Sequence, residues 1–225
     1  MTSPPAADAV VVPATPLLLP ENRSLRDPVA GVRAAAEGAV RWLAGRHPER
    51  VVVLGAGADA ADRGRGVTRP ASLRVARSLL AVAGFAGRVD EHAPPGEDLA
   101  LGGGGLLVVA DGTARRDPEA PGRLDPRAAG FDEAVETALR HGDVDVLRGL
   151  DEALGRALLC SGVPALRALG SGVARPAAAD VDYAGHPFGV QYWVVRWSGR
   201  DGEDPAQDAG TRRPEARRRP RAADV

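Results

Sequence analysis

A single cysteine and a single methionine occur in 225 residues, and lysine and isoleucine are absent altogether. One thiol cannot build a disulfide framework or a cysteine-based metal cage. Without lysine, every basic side chain is an arginine. Codon bias in a GC-rich genome accounts for both missing residue types, whereas selection for forked guanidinium contacts would not also erase isoleucine. Aromatic residues make up only 4% of the chain, so a core must be assembled from alanine, valine and leucine. Neither sign of charge is in excess: 29 basic residues stand against 30 acidic ones, which argues against a global field directed at nucleic acid. No apolar run approaches the ~18 residues of a membrane span. The opening stretch MTSPPAADAVVVPATPLLLP has no basic start and is broken by Pro13, Pro16 and Pro20. These absences lead to the expectation of a cytoplasmic protein with no membrane partner.

What is present suffices for one domain plus extras, with 44% hydrophobic residues. Val10–Val12, Arg50–Leu54 and Leu106–Ala110 are short apolar runs of the kind buried on both faces of a sheet. Between them, three- and four-residue spacing predicts helices over Val29–Arg46 and Ser72–Ala83. Asp125-Pro126 resembles a helix start, with a stripe through Phe131, Ala134, Val135, Ala138 and Leu139. Short helices follow over Val144–Leu150, Glu152–Cys160 and Pro164–Leu169, then strands near Val181–Tyr183 and Phe188–Trp197. The order predicts a three-layer α/β domain over residues 1–199, with a central mixed sheet and helices on both faces. Residues 200–225, which include TRRPEARRRPRA, lack apolar periodicity and are expected to form a disordered charged tail.

Few motifs carry chemistry. Gly55-Ala-Gly-Ala-Asp-Ala60 follows a strand and fits a dinucleotide-binding turn, but Gly64 and Gly66 oppose the helix that should come next. His47, His92, His141 and His186 include no pair at metal-ligand spacing, and Cys160 lies on an apolar helix face. Only His186, in YAGHPFG, has a place near a cleft. Ala110-Asp-Gly-Thr-Ala-Arg-Arg116 directly follows a buried strand, at the edge where α/β proteins place ligand-binding groups. If the strands are parallel, Pro13-Ala14-Thr15 and Gly55–Ala58 share that edge. The competing reading is a tight Asp-Gly turn with two solvated arginines.

The segments PATPLLLPE, RVVVLGAG, LLVVADGTARR, APGRLDPRAAGFDEAV and YAGHPFGVQYWVVRW, in this order, resemble a group of actinobacterial proteins. That group is classed with the catalytic, LigB-like subunit of class III extradiol ring-cleavage dioxygenases. The likeness spans roughly residues 8 to 198 and is most specific over Asp111–Asp132. It implies an α/β fold with a cleft at one sheet edge. It also implies Fe(II) held by two histidines and a carboxylate, with a further histidine as acid and base. The first metal histidine of the family lies in Cys-Pro-His-Pro-Pro-Leu-Leu, and here Ala14 of Val12-Pro-Ala-Thr-Pro-Leu-Leu18 takes its place. The run Asp111–Arg115 lacks the family's catalytic histidine, and Ala157 falls where the carboxylate is expected.

The resulting expectation is an extradiol dioxygenase-like protein with a degenerate metal site that binds a ligand or partner. Asp111 and His186 are the candidate catalytic groups. Thr15, Thr113, Arg115 and Arg116 are the candidate binding groups for an organic acid, with no metal ligand assigned. Two alternatives are an active Fe(II) enzyme with relocated ligands, drawn from His186, Asp111 and His92, and a nucleotide-binding domain centred on Gly55–Ala60.

Overall fold

A computed structural model describes residues 4–23, 26–56, 70–93 and 103–199. The charged tail and most of the Gly55–Ala60 turn lie outside the described residues. Three apolar runs become neighbouring parallel strands: β1 (Ala9–Val12), β2 (Arg50–Gly55) and β4 (Gly105–Val109). Their residues are almost entirely buried because the sheet is covered on both sides. Val11, Val52, Leu54, Leu106 and Val108 face one side, and Val10, Val12, Val51, Val53, Leu107 and Val109 face the other. The six-stranded sheet has the order β3-β2-β4-β1-β6-β5, with β3 at Arg88–His92, β5 at Ala178–Gly185 and β6 at Tyr192–Ser198. β6 runs antiparallel to both β1 and β5, so the sheet is mixed as expected.

Helices α1 (Ala30–Arg46) and α2 (Ala71–Val82) cover one face. The other is covered by α3 (Arg127–His141), α4 (Val144–Arg148), α5 (Glu152–Ala157) and α6 (Val163–Gly172). Asp143 and Asp151 start α4 and α5 by accepting hydrogen bonds from the N–H groups of Val146, and of Ala153 and Leu154. The Trp197 indole donates to the Leu139 carbonyl at 2.7 Å and ties the end of α3 to β6. This is the three-layer, single-domain α/β fold that the sequence pattern predicts.

Three differences from the sequence reading concern the sheet: the last strand starts at Tyr192 and not at Phe188, which lies in the Pro187–Gly189 turn, and the other two concern β3 and β5. β3 is an additional strand at the sheet margin. It pairs with β2 alone, so its sequence RVDEH shows no continuous apolar run. β5 is longer than expected and carries a register shift between Val181 and Tyr183.

A buried arginine fixes the loop after β1. Arg33 is only 3% exposed on α1. Its guanidinium donates to Asp27 and to the carbonyls of Leu18 (2.7 Å) and Leu17 (2.5 Å). The Pro16–Leu18 turn is thereby held against α1, which sets the path of the chain just beyond the end of β1.

Candidate ligand-binding site

The sheet's connections diverge between β1 and β4. The chain leaves β1 toward the α1–α2 face and leaves β4 toward the α3–α6 face. Such a divergence between two adjacent parallel strands, beyond their carboxyl ends, is the usual ligand position in open α/β sheets. Val12 pairs with Val109 in register, so Ala14-Thr15 and Asp111–Thr113 flank this position. The Ala14 N–H donates to the Asp111 carboxylate at 2.7 Å and bridges the two diverging loops.

Asp111 retains some solvent contact, although protein atoms surround its carboxyl group densely. Desolvation pushes its pKa up to about 7, opposed only by the Ala14 N–H. Around it lie the Tyr192 phenol, hydrogen-bonded to the Thr15 side chain, and the Cys160 thiol, which donates to the Asp111 carbonyl at 3.3 Å. Burial raises the Tyr192 pKa, and the nearby Asp111 charge raises it further. Burial, with Asp132 and Asp111 nearby, pushes the Cys160 thiol up to about 12, so it is a packed group and not a nucleophile.

An aspartate buried as an anion should destabilise the fold as it ionises. The folded-state pKa of about 7 lies above the ~3.9 of an unfolded aspartate. The native state therefore keeps a proton that the unfolded chain has released. Its contribution to stability falls as pH rises from about 4 to about 7, by at most about 1.4 kcal/mol per pH unit. The stability of Asp111→Asn, which cannot ionise, should rise relative to wild type as pH increases from about 4 to about 7 and level off above that. Denaturant melts that show the same pH dependence for both proteins would contradict the desolvation argument.

A second carboxylate lies on the α3–α6 side. Asp132 is 1% exposed and accepts from the Thr113 N–H at 2.9 Å and the Thr113 hydroxyl at 2.7 Å. The Arg116 Nε stands 3.9 Å from it, and His186 contributes favourable charge. Burial still raises its pKa, the largest of these influences. Gly112 makes this approach possible. A Cβ there would meet Gln191, Trp193 and Asp132 Oδ1 at 2.6–2.8 Å, and its φ is not in the left-handed region. The Asp-Gly pair therefore serves close packing and not a tight turn.

The sequence-predicted residues thus divide. Thr15 and Asp111 stand on the two loops that diverge after β1 and β4. Thr113 is fully enclosed, with its hydroxyl and N–H both bonded to Asp132, so it positions that carboxylate and has no free group for a ligand. Arg115 and Arg116 diverge: Arg116 faces Asp132, whereas the Arg115 stem lies beside Leu159 and Gly122. Each arginine has a buried guanidinium nitrogen without a protein acceptor, Nε in Arg115 and Nη1 in Arg116. The expectation of two solvated arginines does not hold for these atoms. His186 is exposed, at the start of the turn that follows β5.

Asp132 and Tyr192 are the groups that the sequence reading missed. Asp132 has a sequence signal in the Phe-Asp pair of AAGFDEAV, one that points to a helix but not to its inward face. Tyr192 has none beyond its place in an apolar strand.

The other histidines are elsewhere. His47 bonds Asp8 and the Gly103 carbonyl, and His141 bonds the Thr137 carbonyl. His92 ends β3, two strand positions from β4 and so about 10 Å away by sheet spacing. It is also level with Val108, three residues before Asp111, and among the described residues His186, Asp111 and His92 form no group able to hold a metal. Among the described residues, no three His, Cys, Asp or Glu side chains form a group able to hold a metal. Ala14 offers only its N–H, already given to Asp111. The described residues do not fit the Fe(II) centre that the resemblance implies.

Gly55 stands against α2: a Cβ would meet Ser72 Oγ at 2.8 Å and Leu73 at 3.1 Å, and Ser72 donates to the Ala56 carbonyl. This explains the glycine by helix packing without a bound pyrophosphate. No helix among the described residues is long and apolar enough to cross a membrane. No family model matches the chain, and no curated protein matches it.

Proposed function

We propose that this protein is a LigB-like, extradiol dioxygenase-related protein of the cytoplasm that binds a small organic acid beyond the carboxyl ends of β1 and β4 and does not cleave aromatic rings. The observation that carries this reading is the pair of partly exposed arginines, Arg115 and Arg116, on the loop that follows β4, and a carboxylate is the natural partner of a guanidinium. The proposed absence of ring cleavage is supported by Ala14 standing where the resemblance implies a metal histidine.

A thermal-shift screen of small organic acids tests this proposal. At least one acid should raise the melting midpoint of the wild type, and Arg115→Ala or Arg116→Ala should weaken that shift. If no acid stabilises the protein, or if neither substitution changes a hit, the binding site is not here. Protein purified anaerobically with iron should give no absorbance change with catechols. A ring-cleavage signal together with about one tightly held iron per chain would replace this reading with that of an active dioxygenase.

A further inference from the structure

Four chain segments meet at the sheet edge opposite the Asp111 loop: Asp8 before β1, Arg46-His47 at the end of α1, Gly103 before β4 and Gly199 after the antiparallel β6. Asp8 is only 6% exposed. Its Oδ2 accepts from Arg46 Nε at 2.7 Å and from His47 Nε2 at 3.0 Å, and its Oδ1 from the Gly199 N–H at 2.9 Å. Burial acts to raise its pKa, but the hydrogen bonds from His47, Arg46 and Gly199 outweigh it and hold the carboxyl well below the usual carboxylate range. Asp8 is therefore ionised and can only accept.

The second ring nitrogen of His47, Nδ1, stands 3.2 Å from the Gly103 carbonyl oxygen. A carbonyl, too, only accepts. Both ring nitrogens thus face acceptors, and a neutral imidazole has one N–H for the two of them. Only the doubly protonated ring satisfies both. Packing fixes the ring as well: a Cβ on Gly105 would meet His47 Cδ2 at 2.9 Å and Leu43 Cδ1 at 2.8 Å, so the ring lies directly on the backbone of β4. His47 also follows the last turn of α1, where the helix carbonyls favour a cation. The charged groups that face the ring are Asp8, from the start of β1, and Arg46, from its own helix, which shares Asp8 Oδ2 and opposes the ring's charge. β4 contributes backbone at Gly103 and Gly105, and β6 the Gly199 N–H.

We infer that His47 is a proton-operated clasp that ties the entry of β4 to the start of β1 when doubly protonated and releases Gly103 when it loses a proton. The remaining proton stays on Nε2, because an ionised carboxylate is a stronger acceptor than a carbonyl. Arg46 and the Gly199 N–H hold Asp8 in either state, and Arg46 is itself stacked 5.3 Å from the centroid of the Trp42 ring. The proton therefore acts on the entry of β4 and leaves the contact between β1 and β6 in place. The folded state uses both ring N–H groups and so favours the protonated ring. The clasp's contribution to stability is full below the ~6.5 at which an unfolded histidine titrates, and is lost as pH rises beyond it.

The test compares urea unfolding of the full chain, as wild type and as His47→Gln, across this range. Glutamine presents an N–H to Asp8 and does not titrate, while Asp111 and the other histidines are common to both proteins and cancel. The unfolding equilibrium constant of His47→Gln, divided by that of wild type, should be about tenfold larger at about pH 5.5 than at about pH 8.5. Nitrogen NMR of the wild-type ring should show two protonated nitrogens at the lower pH and a single proton, on Nε2, at the higher. The Gly104 amide nitrogen, which reports on the Gly103 carbonyl, should shift with the ring. A stability ratio independent of pH, a neutral ring protonated on Nδ1, or a Gly104 signal that ignores the ring would each overturn the inference. The ring and Gly104 measurements need wild type alone, so they decide the matter even if His47→Gln does not fold.

Discussion

Replacing Arg33 with methionine should destabilise the protein by about 3–5 kcal/mol, the usual consequence of breaking a buried charged network from one side. Methionine fills much of the volume but donates nothing. Asp27 then loses the partner that holds its carboxyl below the ordinary range, and the carbonyls of Leu17 and Leu18 lose their donors. Those carbonyls belong to the turn that carries Thr15 toward the candidate site, so the damage should reach that site as well as the fold. Urea unfolding should show a lower midpoint with an unchanged slope. A loss below about 1 kcal/mol would place Arg33 among ordinary surface ion pairs.

The second large effect is expected at Asp132. Asp132→Ala removes the acceptor of the Thr113 N–H and hydroxyl, both fully buried, and withdraws the carboxylate that faces Arg116. Two orphaned donors at about 1–3 kcal/mol each predict a total loss of about 3 kcal/mol or more. Thr113→Val removes only the hydroxyl and should lose about 1 kcal/mol. Its Asp132 keeps the bond from the Thr113 N–H, so acid binding through Arg116 should survive in Thr113→Val and weaken in Asp132→Ala. If the two variants are equally stable, the network does not hold the loop as described.

The central strands were legible because a strand covered on both faces must be apolar at every position, and AVVV, VVVL and GLLVV are. β3 was not, since a marginal strand half in contact with solvent can be RVDEH. The strand edge that bears Asp111 was legible from the buried run before it, but the reason for Gly112 was not. Its close approach to Trp193 and Asp132 depends on residues some twenty to eighty positions away. Arg33 escaped notice for the same reason. Within its helix it reads as a polar residue beside Val32, and only the carbonyls of Leu17 and Leu18 explain its burial. Periodicity locates apolar faces and cannot reveal a charge whose partners are remote. The resemblance placed Ala14 at the site but could not show that its N–H bridges to Asp111.

The central claim is that a carboxylate binds at Arg115 and Arg116 on the loop after β4. It is tested most directly by the Arg115 side-chain Nε–Hε signal in a proton–nitrogen NMR spectrum, assigned by its loss in Arg115→Ala. Titration with phenylacetate should move that signal strongly and saturably toward the shift of a carboxylate-bonded guanidinium, while the signals of exposed arginines stay in place. A spectrum in which the Arg115 signal does not move, or moves no more than those of exposed arginines, would contradict the account.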